Sequence, residues 1–331
     1  MLNSTSTYLH LGCYLTSLGL KRMLGDLGID ILCELEVNNS DFRLPEAVCR
    51  RNKDTLIFVN GEGTLHDDQD YAKRLLTFCE NAKSPYIILN TGLERMSGPW
   101  IKILANAAWV QLRTLGDLDN ARLAGLTNIS YCPDMLFYSG IAAAETEPDL
   151  PDCVGFSDSH SAASNEQLLA VYRSFLGPKQ WLNIHFRDCR GVTSAERLKR
   201  LGAQATARLP VSDRLLTRAL NVQAQESLAG SLRRWRECSS LVTGRYHGAC
   251  LAIALGKPFV YAPSNTRKIE NLSDEWKLGA KIGSADAGAS LINQAKELSS
   301  RVDRAAIQRR LAEHYCTLRQ ELGSRIEELH L

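Results

Sequence analysis

Arg245 and His247 stand two positions apart in the stretch LVTGRYHGACLAIALGKPFV, residues 241–260. Val242 and Thr243 close a short apolar run, Gly244 interrupts it, and a helical pattern starts at about Gly248. The first turn of a helix carries N–H groups without intrahelical partners and the positive end of the dipole, so a guanidinium and an imidazole there make an anion site. That suits a phosphorylated or carboxylated ligand. His247 is the strongest acid/base candidate, because imidazole titrates nearest neutrality. The competing structural reading is an Arg capping a neighbouring helix and a His bonded in a packed turn.

A second group, Gly61-Glu62-Gly63-Thr64-Leu65 with His66 next, follows another apolar strand. The two glycines permit unusual backbone angles and close ligand approach, which makes Glu62 a candidate general base for a hydroxyl. A tight turn whose Glu caps the next helix is the alternative, and without Gly-Lys-Ser/Thr the segment is not a P-loop. The segment NIHFRDCR, residues 183–190, puts His185, Arg187 and Asp188 at an expected strand end. Alternation sets His185 and Arg187 on one side, toward a common ligand; a surface pair of Arg187 with Asp188 is the alternative. Arg113 ends one strand, Pro133-Asp134 follows another, and Lys268 sits beside Arg267 in an expected loop. Asp134 reads as a residue that orients the turn after Pro133.

Thr243-Gly244-Arg245-Tyr246-His247-Gly248, the small-residue helix and Gly256-Lys257-Pro258-Phe259-Val260 resemble the signature of the polysaccharide pyruvyl transferase family. Gly61 to Leu65 is similar to the family's glycine-rich loop, with Glu62 in place of the usual middle glycine; Arg113, Pro133-Asp134 and Lys268 also fall where the family has such residues. The resemblance spans roughly residues 10 to 285. It implies transfer of an enolpyruvyl unit from phosphoenolpyruvate onto two sugar hydroxyls as a cyclic ketal, with phosphate released and no further cofactor. It implies a donor side with Gly244, Arg245, Gly248, Lys268, Arg187 and His185, and an acceptor side with Gly61, Gly63, His66 and Asp134; His247 and Glu62 would be catalytic. Members often carry an Arg at the end of the first strand of the second domain, where this chain reads Gly155-Phe156-Ser157-Asp158-Ser159-His160. Arg187 is the expected substitute, and His160 is available to the site. The alternatives are a glycosyltransferase using a nucleotide sugar and a non-catalytic carbohydrate-binding module.

These residues need elements to hold them. Short apolar strands (56–59, 86–89, 109–112, 129–132, 153–156, 181–186, 240–243, 259–262, with 29–37 first) alternate with helical patterns (14–27, 71–82, 100–107, 166–175, 224–238). Buried strands separated by helices call for parallel sheets covered on both faces. The 331 residues exceed one comfortable core, and the linker-like AETEPDLPD, residues 144–152, divides them. The expected fold is α/β, with two Rossmann-like domains, 1–145 and 146–331, whose parallel sheets face across a cleft in a GT-B-like arrangement, and with one or two long helices after Ser290.

With 39 basic and 37 acidic residues the net charge is +2, so no global field recruits nucleic acid or a membrane. Ten cysteines include no Cys-x-x-Cys and no zinc spacing with His, and reduced thiols in a cytoplasmic protein are expected. No apolar run approaches a membrane span.

Overall fold

The computed structural model describes residues 1–37, 39–52, 54–62, 67–141, 153–187, 198–199, 202–203, 206, 212–264, 266–283, 290, 293–294, 297–298, 300 and 303–329. The chain folds as two compact units. The first comprises Met1–Tyr8, Cys13–Gly140 and Gln308–Leu331; the second comprises Leu9–Gly12 and Ile141–Ile307.

In the first unit four strands, β1 (Ile57–Asn60), β2 (Tyr86–Thr91), β3 (Trp109–Leu112) and β4 (Ile129–Tyr131), lie in the order β1-β2-β3-β4 with every pair parallel. Every residue of β1, β2 and β3 is buried, as a sheet covered on both faces requires. The covering helices are α1 (Leu11–Asp26), α2 (Arg43–Arg51), α3 (Asp70–Asn81), α4 (Gly98–Asn106) and α5 (Leu115–Leu123). α3 turns Tyr71, Ala72, Leu75, Leu76 and Cys79 inward, an apolar stripe at helical spacing. The Thr114 side chain accepts the Asp117 N–H and starts α5.

Residues 29–37 do not form the expected strand. Among the described residues this stretch meets the chain's first residues through an isolated parallel bridge, Ser4 to Glu36, and Leu2 in turn bridges Val59 of β1. Ile31 and Leu32 are exposed, so only the Leu35 side of the stretch has a partner layer. In the segment 1–5 between them Asn3, Ser4 and Thr5 are polar and the alternation pattern does not mark them, yet all three are buried.

In the second unit β5 (Val154–Ser159), β6 (Lys179–Trp181), β7 (Ser240–Gly244), β8 (Phe259–Tyr261) and β9 (Gly279–Lys281) are all parallel, in the order β6-β5-β7-β8-β9. Helices α6 (Ala162–Ser174), α7 (Asp213–Ala224), α8 (Leu228–Glu237), α9 (Tyr246–Ala254) and α10 (Lys268–Trp276) accompany them. Ser161 and Ser227 cap α6 and α8 through their side chains. The helix expected over 224–238 forms as α8, starting at Leu228 because Ser227 caps it, whereas α7 occupies a stretch where no helix was expected. α9 is buried nearly all round, as expected of a helix apolar on every side. It begins at Tyr246 with Arg245 at its N-cap, two residues before the expected start. Gly256 takes a positive φ of 62° just past the end of α9, and the Gly256 and Lys257 N–H groups close on Ile253 and Ala252 as a Schellman turn.

The last helix, α11 (Arg304–Glu328), does not follow the expected 146–331 division, since residues 308–331 group with the first unit. Leu311, Leu318 and Leu322 are buried, the Tyr315 hydroxyl donates to Asp26 at 2.6 Å, and its ring meets Tyr138 at 4.9 Å. The boundary at 145/146 lies outside the described residues.

Candidate functional site

Strand order in the second sheet reverses at β5: the chain lays β6 on one side of it and β7 on the other. In parallel α/β sheets the loops leaving two such neighbouring strands diverge to opposite faces and open a crevice at the carboxyl ends, where ligands bind. The loops leaving β5 and β7 carry His160 and Arg245, and Ser159 pairs with Gly244 in register.

Arg245 is the centre of this group. Its Nε donates to Asp158 Oδ1 and its Nη2 to Asp158 Oδ2, both at 2.7 Å, while Nη1 lies 2.7 Å from His160 Nε2. Asn221 from α7 donates to the same Asp158 carboxylate at 2.8 Å. Arg245 and Asp158 are only 9% and 5% exposed. Burial alone would raise the Asp158 carboxyl, but the Arg245 guanidinium and the Asn221 amide hold it below its ordinary value. The position where an Arg was expected from the resemblance therefore holds an acid that neutralises Arg245.

Four imidazoles surround this pair. Burial and the charges of Arg245 and Lys268 lower His160 to about 4, and burial and Arg245 lower His185. His10 packs edge-on against His185 at 4.9 Å and against His247 at 5.4 Å between ring centroids; burial, then His247, His185 and Arg245, push it well below its ordinary value. Lys268, the first residue of α10, sets its ammonium 5.7 Å from the Tyr246 ring centroid. His160 and His185 also line a cavity of about 540 Å³ with Glu166, Asn183, Arg214 and Asn221.

The structure thus gathers Arg245, His185, His247 and Lys268, as expected, and adds Asp158 and His10. Nothing in the local pattern singles out His10. It reaches the group because residues 9–12 run antiparallel to 184–186, with Leu11 N–H on Ile184 O at 2.7 Å and Phe186 N–H on Leu9 O at 3.0 Å. The strand expected over 181–186 ends at Trp181, so the shared face predicted for His185 and Arg187 does not arise. Arg187 instead bridges Ser227 and donates from Nη2 to Gln225 O at 2.7 Å, while Asp188 lies outside the described residues. Gly244 and Gly248 serve close packing: a Cβ on either would run into Ser159 or Thr243. Gly12 likewise leaves room for the His247 ring.

In the first unit, Glu62 follows β1 and is 7% exposed. Thr5 Oγ1 donates to its carboxylate at 3.1 Å. Burial and the nearby Asp134 raise Glu62, against the pull of Cys13, Arg113 and Thr5. Asp134 accepts from Thr16 Oγ1 at 3.0 Å and from the Leu136 N–H at 2.9 Å, and Arg113 Nη1 lies 3.5 Å from it. It therefore orients the turn after Pro133, as its sequence position suggests. Gly61 packs on Thr91. Gly63 and His66 lie outside the described residues.

Among the described residues no helix is long and apolar enough to cross a membrane. No curated protein matches the chain. Two solved structures resemble it in chain course: a functional uncharacterized protein from Klebsiella pneumoniae, 13% identical, covering 83% of this chain and 89% of that one with a TM-score of 0.47, and HepE from Anabaena in complex with UDP, 14% identical, covering 90% and 89% with a TM-score of 0.42. Residues 10–265 match the family described as polysaccharide pyruvyl transferase, a span that runs from His10 through Arg245 and His247. The chain belongs to the polysaccharide pyruvyl transferase family, whose members are transferases that act on glycans.

Proposed function

We propose that this protein transfers pyruvate from phosphoenolpyruvate to two hydroxyls of a sugar, in a glycan or its precursor, forming a cyclic ketal and releasing phosphate. The observation that carries this reading is the convergence of Arg245, Lys268 and the imidazoles of His160, His185 and His247 in one unit of a chain of this family.

The donor brings a phosphate and a carboxylate. Because Asp158 offsets Arg245, Arg245 acts as an oriented donor of hydrogen bonds more than as a bare cation, with the ammonium of Lys268 as a further polar group for the anion. The first-turn N–H groups of α9 face departing phosphate. In the reaction the donor's methylene carbon gains a proton and a sugar oxygen bonds to the neighbouring carbon, losing its own proton. The carbon–oxygen bond to phosphate then breaks with its electron pair leaving on phosphate, and the second sugar hydroxyl adds to the same carbon and gives up its proton. His247 is the group assigned to proton transfer at the donor. Glu62, neutral more readily than a solvent-exposed carboxylate, is assigned to the acceptor hydroxyl. No other cofactor is required.

The test is release of phosphate from phosphoenolpyruvate that depends on a sugar acceptor. His247→Ala should abolish it with an unchanged unfolding midpoint, and sustained turnover by that variant overturns the assignment. In a thermal-shift panel phosphoenolpyruvate should protect the fold. Protection by a nucleotide sugar alone would transfer the site to glycosyl transfer, and protection by glycan alone to a binding module.

A further inference from the structure

Outside the group around Arg245, the second unit holds another cavity, of about 530 Å³, lined by Arg187, Lys199, Arg218, Thr206 and Gln225 and by an apolar wall. The wall has a simple origin. Leu215, Arg218, Ala219 and Val222 recur at three, four and seven residues along α7 and share one face of it.

Among the described residues three cationic side chains border this cavity and no carboxylate does. Arg187 is fixed by its backbone, whose N–H donates to Glu226 O at 2.7 Å, and by Nη2 on Gln225 O. Its buried Nε meets no acceptor among the described residues. Among the described residues neither Arg218 nor Lys199 forms an ion pair. The neighbouring cavity beside His160 and His185 is different, since Glu166 and Asp213 line it along with Arg214 and Arg218. Arg218, Val222 and Gln225 border both, so the two spaces adjoin. A cation with a buried donor left open is costly unless an anion completes it, and guanidinium groups match phosphate oxygens in geometry.

We propose that the cavity of Arg187, Lys199 and Arg218 is a second anion site, taking the phosphate or diphosphate group of an organic phosphate whose remaining part extends toward His160 and His185. The anion site stands without the pyruvyl-transfer reading; only the use of the bound compound as a substrate rests on that reading.

Calorimetric titration of the full chain with inorganic pyrophosphate, glucose 1-phosphate and UDP tests it. At least one of the three should bind, less tightly as salt is raised. The Arg187→Gln/Arg218→Gln double variant should weaken that binding at least tenfold, and Lys199→Gln, at an exposed position, should weaken it with no change in unfolding midpoint. Preference for glucose 1-phosphate assigns a sugar phosphate, and preference for UDP a nucleoside diphosphate. Failure of all three probes to bind the native chain, or equal binding by the double variant and the native chain, overturns the proposal. Protection by phosphoenolpyruvate, measured in parallel on the double variant, reports separately on the Arg245 site.

Discussion

The Arg245 guanidinium and the Asp158 carboxylate meet edge to edge through two 2.7 Å hydrogen bonds, although 87 residues separate them in the chain. Both are nearly buried, so each depends on the other for charge compensation. Removing one partner of a buried pair leaves an uncompensated charge and costs about 3–5 kcal/mol, whereas replacing both by apolar residues costs far less. Asp158→Asn should therefore lower the stability of the protein by about that amount, and Asp158→Leu combined with Arg245→Met should recover most of it. Urea unfolding of the double variant and of each single variant measures both; a double-variant loss equal to the sum of the two single losses would show that the pair is not coupled.

Acid should destabilise the fold through the imidazoles. His10, His160 and His185 all have folded pKa values below the ordinary 6.5, with His160 at about 4. Below pH 6.5 the unfolded chain binds protons that the folded protein refuses, so stability is full above that pH and declines as pH falls toward 4. His160→Gln should flatten part of this slope in unfolding measurements across that range. The charges facing these rings are Arg245, Lys268 and Asp158, and a bound anion among them would raise the imidazoles. Affinity for phosphoenolpyruvate should therefore rise as pH falls from about 8 to about 6, which titration at two pH values would show.

Gly12 and Gly25 lie on the same helix and should respond oppositely to alanine. A Cβ at Gly12 would collide with the His247 ring, while one at Gly25 meets nothing within 4 Å. Gly12→Ala should cost about 1–3 kcal/mol by overpacking and impair turnover by displacing His247. Gly25→Ala should gain about 0.5–1 kcal/mol from helix propensity. Thermal unfolding of the two variants is the check.

Glu62 is raised by burial and by Asp134. A carboxyl whose folded pKa is raised contributes most to stability below its unfolded value of 4.5 and loses that contribution as pH climbs through the folded value. Glu62→Gln should then be at least as stable as the native chain at about pH 8, since the amide oxygen can still accept from Thr5. On the proposed reading it should lose about 100-fold or more in transfer rate. Unfolding curves and initial rates on the same preparation separate the two effects.

Much of the architecture was legible in residue order, because short apolar runs such as 86–89 and 109–110, separated by helical patterns, read as buried parallel strands. The start of α9 was legible within two residues, and with it the placing of Arg245 and His247 beside an open helix end. Local pattern failed where burial is not apolar. Asn3, Ser4 and Thr5 are buried but polar, residues 29–37 are apolar but partly exposed, and α7 lies in a stretch where the pattern marks no helix.

The chain order alone therefore determined two parallel α/β sheets and one cationic helix start, since periodicity and propensity act between near neighbours. Tertiary structure alone decided what surrounds that start. Setting β5 directly beside β7 brought Asp158 and His160 to Arg245, and the antiparallel run of 9–12 along 184–186 brought His10 to His185 and His247. Pairings of this kind are set by which strands hydrogen-bond, and no spacing of residue types along the chain encodes them.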